Sequence, residues 1–328
     1  MIIQSDYSPP VWLKNCHVQT VVGTWINRSL TIPVHRQRVE LADDDFLEID
    51  WIKHPTNDAQ PTLLLLHGLE GSIESSYIQG LLKHYATTDW RVGVMHFRGC
   101  SGVPNRKLRS YHSGDTTDLH YVLHQLKHQG PLFVAGFSLG GNVLLKYLGE
   151  QGDDCIIDAA IAVSVPFDLD AAAKRLDKGL SKCYRWYLIR ELKRKTRMKM
   201  AQFPDYDWIS DEALAQIKSF VDFDHLLTAP VNGFASGKAY YDECSCGQFL
   251  AHIKKPTLVI HAEDDPFMTP DAIPTSESLS DWVTLELSDN GGHMGFLRHN
   301  GSGGLDRYLD DRIPDWFEDR AARLLAHQ

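Results

Sequence analysis

The sequence is poor in cysteine and contains no long apolar run. Six of its 328 residues are cysteines, scattered along the chain, which argues against a disulfide framework. Cys244 and Cys246 form the one close pair, and they lack the further cysteine or histidine ligands with the spacing of a zinc site. No apolar stretch reaches the roughly eighteen residues of a membrane span, and the first residues lack the regions of a signal peptide. We therefore expect a cytoplasmic protein with no metal site.

Positive charge is also scarce, except in one segment. The formal net charge is −10 and no basic tail is present, so nucleic acid is not an expected partner. Residues 174–199 are the exception, with eleven Lys or Arg against Asp177 and Glu191, and with Trp186 and Tyr187 interleaved. This segment is either a helix face paired with the acidic body of the protein, or an amphipathic element that associates weakly with an anionic membrane surface.

Short apolar segments alternate with helical patterns along the chain. Residues 36–53 predict an antiparallel hairpin with an acidic turn. Six later runs, most of them continuously apolar, are typical of strands buried on both faces of a parallel sheet: "TLLLLHG", "RVGVMHF", "LFVAGFS", "AAIAVSVP", "TLVIHAE" and "VTLELSD". Helices are predicted over Ser75–Tyr85, Thr116–His128, Gly141–Gly149 and Pro270–Ser280, and over Leu305–Leu325 with an interruption near Pro314. The fold class is α/β, a doubly wound and mostly parallel sheet.

One connection is too long for an ordinary loop. About ninety residues separate the run that ends at Pro166 from the one that begins at Thr257, and they contain helical patterns without a convincing parallel strand. We expect a helical cap insertion at 167–255 within a single domain that spans 1–328.

The stretch "GFSLG" places Ser138 between a buried strand and a helix. A nucleophilic serine needs this setting, because a sharp turn lifts its hydroxyl clear of the sheet and the glycines at positions 136 and 140 avoid steric clashes. A serine that merely caps the helix is the alternative. The context favours a nucleophile.

A serine hydroxyl becomes a good nucleophile only beside a base that a carboxylate orients. His293 follows the last predicted strand of the parallel sheet in the glycine-rich loop "GGHMGF" and is the candidate base. Asp265, in "HAEDDP", is the candidate acid. Asp264 beside it and Asp168 after the preceding strand remain alternatives, since both lie in loops at the same edge of the sheet.

The negative charge that develops during acyl transfer needs preoriented donors. The loop "HGLEGS" follows an early buried strand, and its Leu69 is expected to supply one backbone N–H, while Leu139 after the serine supplies the other. We expect His67 to order this loop. Cys100, in "FRGCSG", is a weaker candidate nucleophile because no base or helix start accompanies it.

These motifs together carry a family resemblance over nearly the whole chain. The sequence resembles the α/β-hydrolase superfamily, and within it a branch of bacterial proteins regarded as esterases, whose eukaryotic relatives include phospholipase-like and acylglycerol-lipase-like hydrolases. The resemblance rests on "PPVWLKNCHVQT" at 9–20, "HGLEGS" at 67–72, "FRGCSG" at 97–102, "YHSGDTTDL" at 111–119, "GFSLGGN" at 136–142 and "GGHMGF" at 291–296.

The resemblance implies a triad of Ser138, Asp265 and His293 with an oxyanion hole at Leu69. The expected activity is that of a carboxylesterase acting on a small-molecule ester through an acyl-enzyme, without a cofactor. Two alternatives stay open. One is a lipase or phospholipase at a membrane surface, and the other is a catalytically silent scaffold that binds a ligand or partner. The acid loop has Ala262 where many α/β-hydrolases have glycine, so the sequence leaves the choice between Asp264 and Asp265 open.

Overall fold

A computed structural model describes residues 1–26, 32–52, 60–126 and 130–326. The strands are β1 Ile2–Gln4, β2 His35–Glu40, β3 Phe46–Trp51, β4 Thr62–Leu66, β5 Arg91–His96, β6 Leu132–Phe137, β7 Ala159–Val163, β8 Thr257–Ala262, β9 Val283–Ser288, β10 Leu297–His299 and β11 Leu305–Arg307. The helices are α1 Cys16–Gly23, α2 Ser76–Tyr85, α3 Thr116–Gln125, α4 Leu139–Gln151, α5 Leu169–Arg175, α6 Ser181–Gln202, α7 Asp211–Gln216, α8 Phe220–Phe223, α9 Ala229–Val231, α10 Gly237–Cys244 and α11 Leu309–Ala326.

Within these ranges, nine strands form one twisted sheet in the order β1-β9-β8-β7-β6-β4-β5-β3-β2. The pairings are parallel from β1 to β5, and only those that involve β3, to β5 and to β2, are antiparallel. The predicted hairpin and the six predicted parallel strands are therefore present. The continuous apolar runs arise because both faces of these strands are covered.

The central strand β4 shows how the sheet divides the core. Leu64 and Leu66 face a cluster that includes side chains of α3 and α4, whereas Leu63 and Leu65 face a second cluster that includes side chains of α2 and α11. All four leucines are fully buried. Alternate residues of a strand point to opposite faces, so an uninterrupted leucine run serves a sheet that has helices on both sides.

Two helix predictions are wrong. Residues 270–280 contain only the short 3₁₀ turns Pro270–Ala272 and Ser276–Ser278. Pro274 cannot donate a helical hydrogen bond, and it disfavours helical geometry at Ile273, whose backbone is extended. In the tail, residues 305–307 form β11 against β10, and α11 begins only at Leu309.

Pro314 lies inside α11 without interrupting it. The buried Ile313, Phe317 and Ala321 pack this helix against the sheet and keep it continuous. Of the other helices, α2 and α4 lie where they are predicted, while the predicted end of α3 at His128 falls outside the described residues.

The long connection between β7 and β8 contains the six helices α5 to α10 in the described structure. These helices have an apolar cluster of their own, which includes Leu214, Leu227, Tyr240 and Tyr241. They also contribute to the walls of a cavity that opens above Ser138 at the carboxyl edge of the sheet. The chain between the two strands is thus positioned to cover that edge.

Candidate active site

Ser138 occupies a strained turn between β6 and α4. Its backbone has φ 51° and ψ −117°, a region that side-chain-bearing residues rarely adopt. The turn is so tight that a Cβ atom at Gly140 would lie only 2.5 Å from the carbonyl oxygen of Leu66. Although Ser138 is at the N-cap position of α4, its side chain makes no capping hydrogen bond. The helix-cap alternative therefore does not describe this serine.

Three predicted side chains meet in a hydrogen-bonded chain. The Ser138 Oγ lies 3.0 Å from Nε2 of His293, and Nδ1 of His293 lies 2.9 Å from Oδ2 of Asp265. With Nδ1 protonated, His293 donates to the carboxylate and Nε2 accepts from the serine hydroxyl. This arrangement can remove the serine proton during nucleophilic attack.

The carboxylate of Asp265 is buried and stays ionised. Burial alone would raise its pKa, but the interactions with His293, together with those of His261 and the backbone N–H of Phe267, outweigh burial and hold the pKa of Asp265 below its usual value. Its other oxygen accepts a hydrogen bond from the backbone N–H of Phe267 at 2.8 Å. Both oxygens are therefore fixed, and the imidazole is held in one tautomer.

The two alternative acids have other contacts. Asp264 accepts a hydrogen bond from the backbone N–H of Gly292 at 2.9 Å, so it holds the loop that carries His293 rather than the imidazole ring. Asp168 is the N-cap of α5 and accepts from the N–H of Ala171 at 2.9 Å. The geometry of the site thus favours Asp265 as the partner of the histidine.

The loop at residues 67–71 lies beside the serine and contains the predicted donor, the backbone N–H of Leu69. The carbonyl oxygen of Gly68 accepts hydrogen bonds from the N–H of Gly71 at 2.9 Å and from Nδ1 of His67 at 2.7 Å. In a trans peptide the N–H points opposite to the carbonyl, so the N–H of Leu69 points away from these donors. A Cβ atom at Gly68 would lie 3.3 Å from Cβ of Ser138, which places the loop beside the nucleophile.

Leu139 provides a second donor of the same kind. It is the first residue of α4, and the first N–H groups of a helix have no acceptor within that helix. The positive end of the helix dipole adds to their preference for an anion. Leu69 and Leu139 thus remain the predicted donors to an oxyanion that forms on a carbonyl bound at Ser138.

His67 is part of the scaffold of this loop. Its side chain is fully buried, and burial lowers its pKa to about 3, so the ring is neutral. Nδ1 donates to Gly68, while Nε2 accepts from the backbone N–H of Phe97 at 3.2 Å. The two nitrogens thus fix the ring between β4 and the loop after β5. This agrees with the loop-ordering role expected from the sequence.

Cys100 lacks the environment of a nucleophilic thiol. It is buried, and burial raises its pKa to about 11, although Lys195 lies 3.2 Å from its Sγ atom. Its side-chain partners include this lysine and Tyr111, and the lysine is a cation that cannot act as a base here. The cysteine is part of the hydrophobic core and is unsuited to catalysis.

A cavity of about 450 Å³ extends from Ser138 under the cap. Its cap-side wall is largely apolar, with contributions from Leu176, Leu192, Phe220 and Leu227. Such a cavity suits the hydrocarbon part of a small molecule, while the serine and the two backbone donors lie at its polar end.

Three further contacts were not evident from the sequence. The ring of Phe267 stacks on His293, with centroids 4.0 Å apart and an interplanar angle of 12°. The hydroxyl of Tyr77 accepts from the N–H of Gly68 at 2.9 Å, and the hydroxyl of Thr20 accepts from the N–H of His293 at 2.9 Å. The sequence gives a signal for only one of these contacts, because Thr20 lies in the motif at 9–20 that contributes to the family resemblance.

The basic segment at 174–199 is largely engaged within the protein. Acidic partners pair with Lys174, Arg185, Arg190, Arg194, Lys195 and Arg197, and backbone carbonyls accept from Lys193 and Lys199. Lys178 and Lys182 are exposed at one end of the segment, near the exposed Trp186 and Tyr187. No helix in the described ranges has the length and apolarity needed to cross a bilayer.

The sheet, the serine turn and the acid and histidine loops are those of the α/β-hydrolases. The sequence profile of the family described as "alpha/beta hydrolase fold" matches residues 61–300, so the chain belongs to this family. Over 320 residues it is 40% identical to the protein named "Putative esterase YheT" of Escherichia coli K12, a match that covers 95% of this chain and 93% of the relative.

Other relatives have lipase names. The chain is 32% identical over 253 residues to a monoacylglycerol lipase of Saccharomyces cerevisiae, which covers 74% of this chain and 56% of the lipase. It is 29% identical over 307 residues to phospholipase ABHD3 of Mus musculus, covering 90% of this chain and 74% of that protein. A solved structure of the Pyrococcus furiosus esterase Pf2001 matches with a TM-score of 0.56 at 16% identity, covering 96% and 98% of the two chains. This last similarity shows the fold.

Proposed function

We propose that this hydrolase cleaves carboxylic esters through an acyl-enzyme intermediate. The observation that carries the proposal is the chain of hydrogen bonds from Ser138 through His293 to Asp265, at 3.0 and 2.9 Å. The neighbouring backbone donors and the apolar cavity support the same chemistry. The names of the esterase and lipase relatives agree with an ester substrate.

In the first half-reaction, Oγ of Ser138 attacks the ester carbonyl carbon while His293 takes the serine proton. The N–H groups of Leu69 and Leu139 stabilise the resulting oxyanion. Collapse of this intermediate breaks the bond to the alcohol, and His293 returns the proton to the departing oxygen. Asp265 stabilises the imidazolium in the meantime.

In the second half-reaction, His293 removes a proton from water, and the hydroxide attacks the acyl-serine. The oxyanion forms in the same hole, and its collapse releases the carboxylic acid while the proton returns to Ser138. The apolar wall under the cap favours an acyl chain longer than acetyl. A series of p-nitrophenyl esters from acetate to palmitate will define that preference.

Labelling with a fluorophosphonate probe tests the nucleophile. The wild-type protein should be labelled and should hydrolyse p-nitrophenyl butyrate, whereas Ser138→Ala should do neither. A matched control is Ser245→Ala, which removes a serine hydroxyl from the cap and should leave labelling intact. Failure of the folded wild-type protein to react would refute the esterase proposal and favour a ligand-binding scaffold.

A second proposal is that the hydrolase works at an anionic membrane surface. It rests on the exposed cap residues Leu180, Trp186 and Tyr187, which are 64%, 63% and 53% exposed, beside the exposed Lys178 and Lys182. Exposed aromatic and basic side chains together suit a lipid interface. The internal pairing of most of the basic segment supports the alternative of a helix face paired within the protein.

Vesicle flotation distinguishes these two cases. Binding to vesicles rich in phosphatidylglycerol, but not to phosphatidylcholine vesicles, is the result expected of a membrane surface. Lys178→Glu combined with Lys182→Glu should then abolish binding, whereas Lys254→Glu combined with Lys255→Glu, just before β8, should not. If the wild-type protein stays unbound at low salt, this second proposal is wrong.

A further inference from the structure

Helix α1 packs directly on the loop that carries His293. A Cβ atom at Gly292 would lie 2.4 Å from the carbonyl oxygen of Cys16, and one at Gly295 would lie 2.6 Å from that of Gln19. Only glycine permits such a close approach of a loop to a helix backbone. The N-terminal motif and the histidine loop are therefore built to fit each other, although 273 positions separate Thr20 from His293.

The histidine loop has a backbone that needs external support. Met294 and Phe296 have φ values of 59° and 44°, in the left-handed region that side-chain-bearing residues avoid. Such conformations persist only where surrounding contacts hold them, and they concentrate at functional sites. The loop lies beside the triad, so a small change in its backbone moves the imidazole directly.

Two adjacent side chains of α1 hold this loop. The Thr20 hydroxyl accepts the backbone N–H of His293 at 2.9 Å and donates to the carbonyl of Cys16 at 2.8 Å. The fully buried Gln19 accepts from the N–H of Leu297 at 2.8 Å and donates to the carbonyl of Leu13 at 3.0 Å. The loop is thus fixed both at the histidine and just beyond it.

We infer that Thr20 is a positioning residue for the catalytic reaction, because its hydroxyl fixes the backbone from which the imidazole of His293 reaches Ser138. Thr20 has no direct contact with the reacting atoms in this geometry. The inference rests on the proposed ester hydrolysis. It assigns a function to the N-terminal motif that the triad mechanism leaves unexplained.

The test compares Thr20→Val, which removes the acceptor at similar volume, with Thr20→Ser, which keeps it. A displacement of about 1 Å can cost about a hundredfold in rate, so we expect Thr20→Val to lower kcat by about tenfold to a hundredfold. The KM for p-nitrophenyl butyrate should stay within about twofold, because the pocket walls are untouched. Thr20→Ser should restore most of kcat.

Thr24→Val is the matched control. Thr24 is exposed just after the end of the same helix, and its hydroxyl donates to the carbonyl of Val21 at 2.7 Å. This variant should keep kcat and the rate of fluorophosphonate labelling. The thermal midpoint of each variant separates loss of fold from loss of alignment, and rates are measured at a temperature where every variant is folded.

Two results would overturn the inference. One is a folded Thr20→Val variant whose kcat and labelling rate are within about twofold of wild type. The other is a Thr20→Ser variant that is as impaired as Thr20→Val. A failure of the proposed function looks different, because the wild-type protein itself would then show no ester turnover and no labelling that depends on Ser138.

Discussion

The ion pair between Lys195 and Glu70 joins the cap to the loop at residues 67–71. It provides a quantitative test of whether the cap supports the proposed donor at Leu69. Nζ of Lys195, on α6, lies 3.0 Å from Oε2 of Glu70, and the two side chains are 27% and 8% exposed. The other oxygen of Glu70 accepts from the hydroxyl of Tyr111 at 2.7 Å, and that hydroxyl accepts from the N–H of Glu70 at 3.0 Å. Glu70 directly follows Leu69, so this network holds the proposed donor.

The partial burial of the pair sets the expected magnitude. Exposed ion pairs contribute about 0.2–1 kcal/mol, whereas removal of one partner from a fully buried pair costs about 3–5 kcal/mol. Lys195 and Glu70 lie between these limits, so we expect Lys195→Met to lower the free energy of unfolding by about 2 kcal/mol. A less fixed Leu69 should also lower kcat by about tenfold, which is less than the hundredfold or more that complete loss of a donor typically costs.

The assay is a double-mutant cycle of Lys195→Met and Glu70→Gln, with urea unfolding and ester kinetics on each variant. Glu70→Gln keeps the side-chain shape while removing its charge. We expect a coupling of about 1–2 kcal/mol in the free energy of unfolding. The exposed pair Lys238 and Asp242, with side chains 79% and 60% exposed, is the control and should couple by less than about 0.5 kcal/mol.

The cycle can refute this reasoning in two ways. If the two substitutions are additive within about 0.3 kcal/mol, the ion pair contributes nothing to stability. If Lys195→Met destabilises the protein but leaves kcat within about twofold of wild type, the ion pair stabilises the fold without orienting the N–H of Leu69. Either outcome would remove the proposed link between the cap and the oxyanion hole.

Two further predictions concern acid and the choice of carboxylate. Burial lowers the pKa of His67 to about 3 and that of His261 to about 4, so below the unfolded pKa of about 6.5 each takes up a proton on unfolding. Above that pH the two histidines do not lower the free energy of unfolding. As the pH decreases from 6.5 towards 4, each of them lowers the free energy of unfolding by about 1.4 kcal/mol per pH unit. Urea unfolding at pH 7 and pH 5 measures this loss, which His261→Phe should reduce, and equal stability at the two pH values would contradict it. Asp265→Asn should lower kcat by about 10⁴-fold, whereas Asp264→Asn should lower it by about tenfold. Asp168→Asn should change neither kcat nor stability appreciably, because Asn caps a helix about as well as Asp. Kinetics and unfolding of the three variants check this order, and a larger kcat loss in Asp168→Asn would show that the acid is misassigned.

The sheet could be predicted from sequence because its signals are local. A run such as Leu63–Leu66 needs apolar surroundings on both faces, and helical patterns on either side of it supply them. Because the strands that precede Ser138, Asp265 and His293 run parallel to each other, the loops that follow them lie at the same edge of the sheet. Their placement at the same edge therefore follows from the topology, whereas their hydrogen bonds depend on the paths of the loops.

Other features could not be predicted, because they depend on contacts between distant parts of the chain. The helix predicted at 270–280 is an exception with a local cause, because Pro274 disfavours helical geometry at Ile273 and the apolar pattern concealed this. The support of His293 by Thr20 depends on how α1 packs, and the motif at 9–20 marks Thr20 without giving that packing. The different contacts of Asp264 and Asp265 likewise require the path of the histidine loop, because both carboxylates follow the same strand.

The basic segment also links the cap to the site. Within it, α6 uses two residues to contact opposite sides of the site. The hydroxyl of Tyr184 lies 3.1 Å from Nδ1 of His17 on α1. Three helical turns later, about 16 Å along the axis, Lys195 pairs with Glu70 in the loop at 67–71. Tyr184 also lies against Phe267, the ring that stacks on His293, with centroids 5.1 Å apart. A shift of α6 would therefore disturb the base and the oxyanion donor together, so substrates that displace this helix should alter kcat as well as binding.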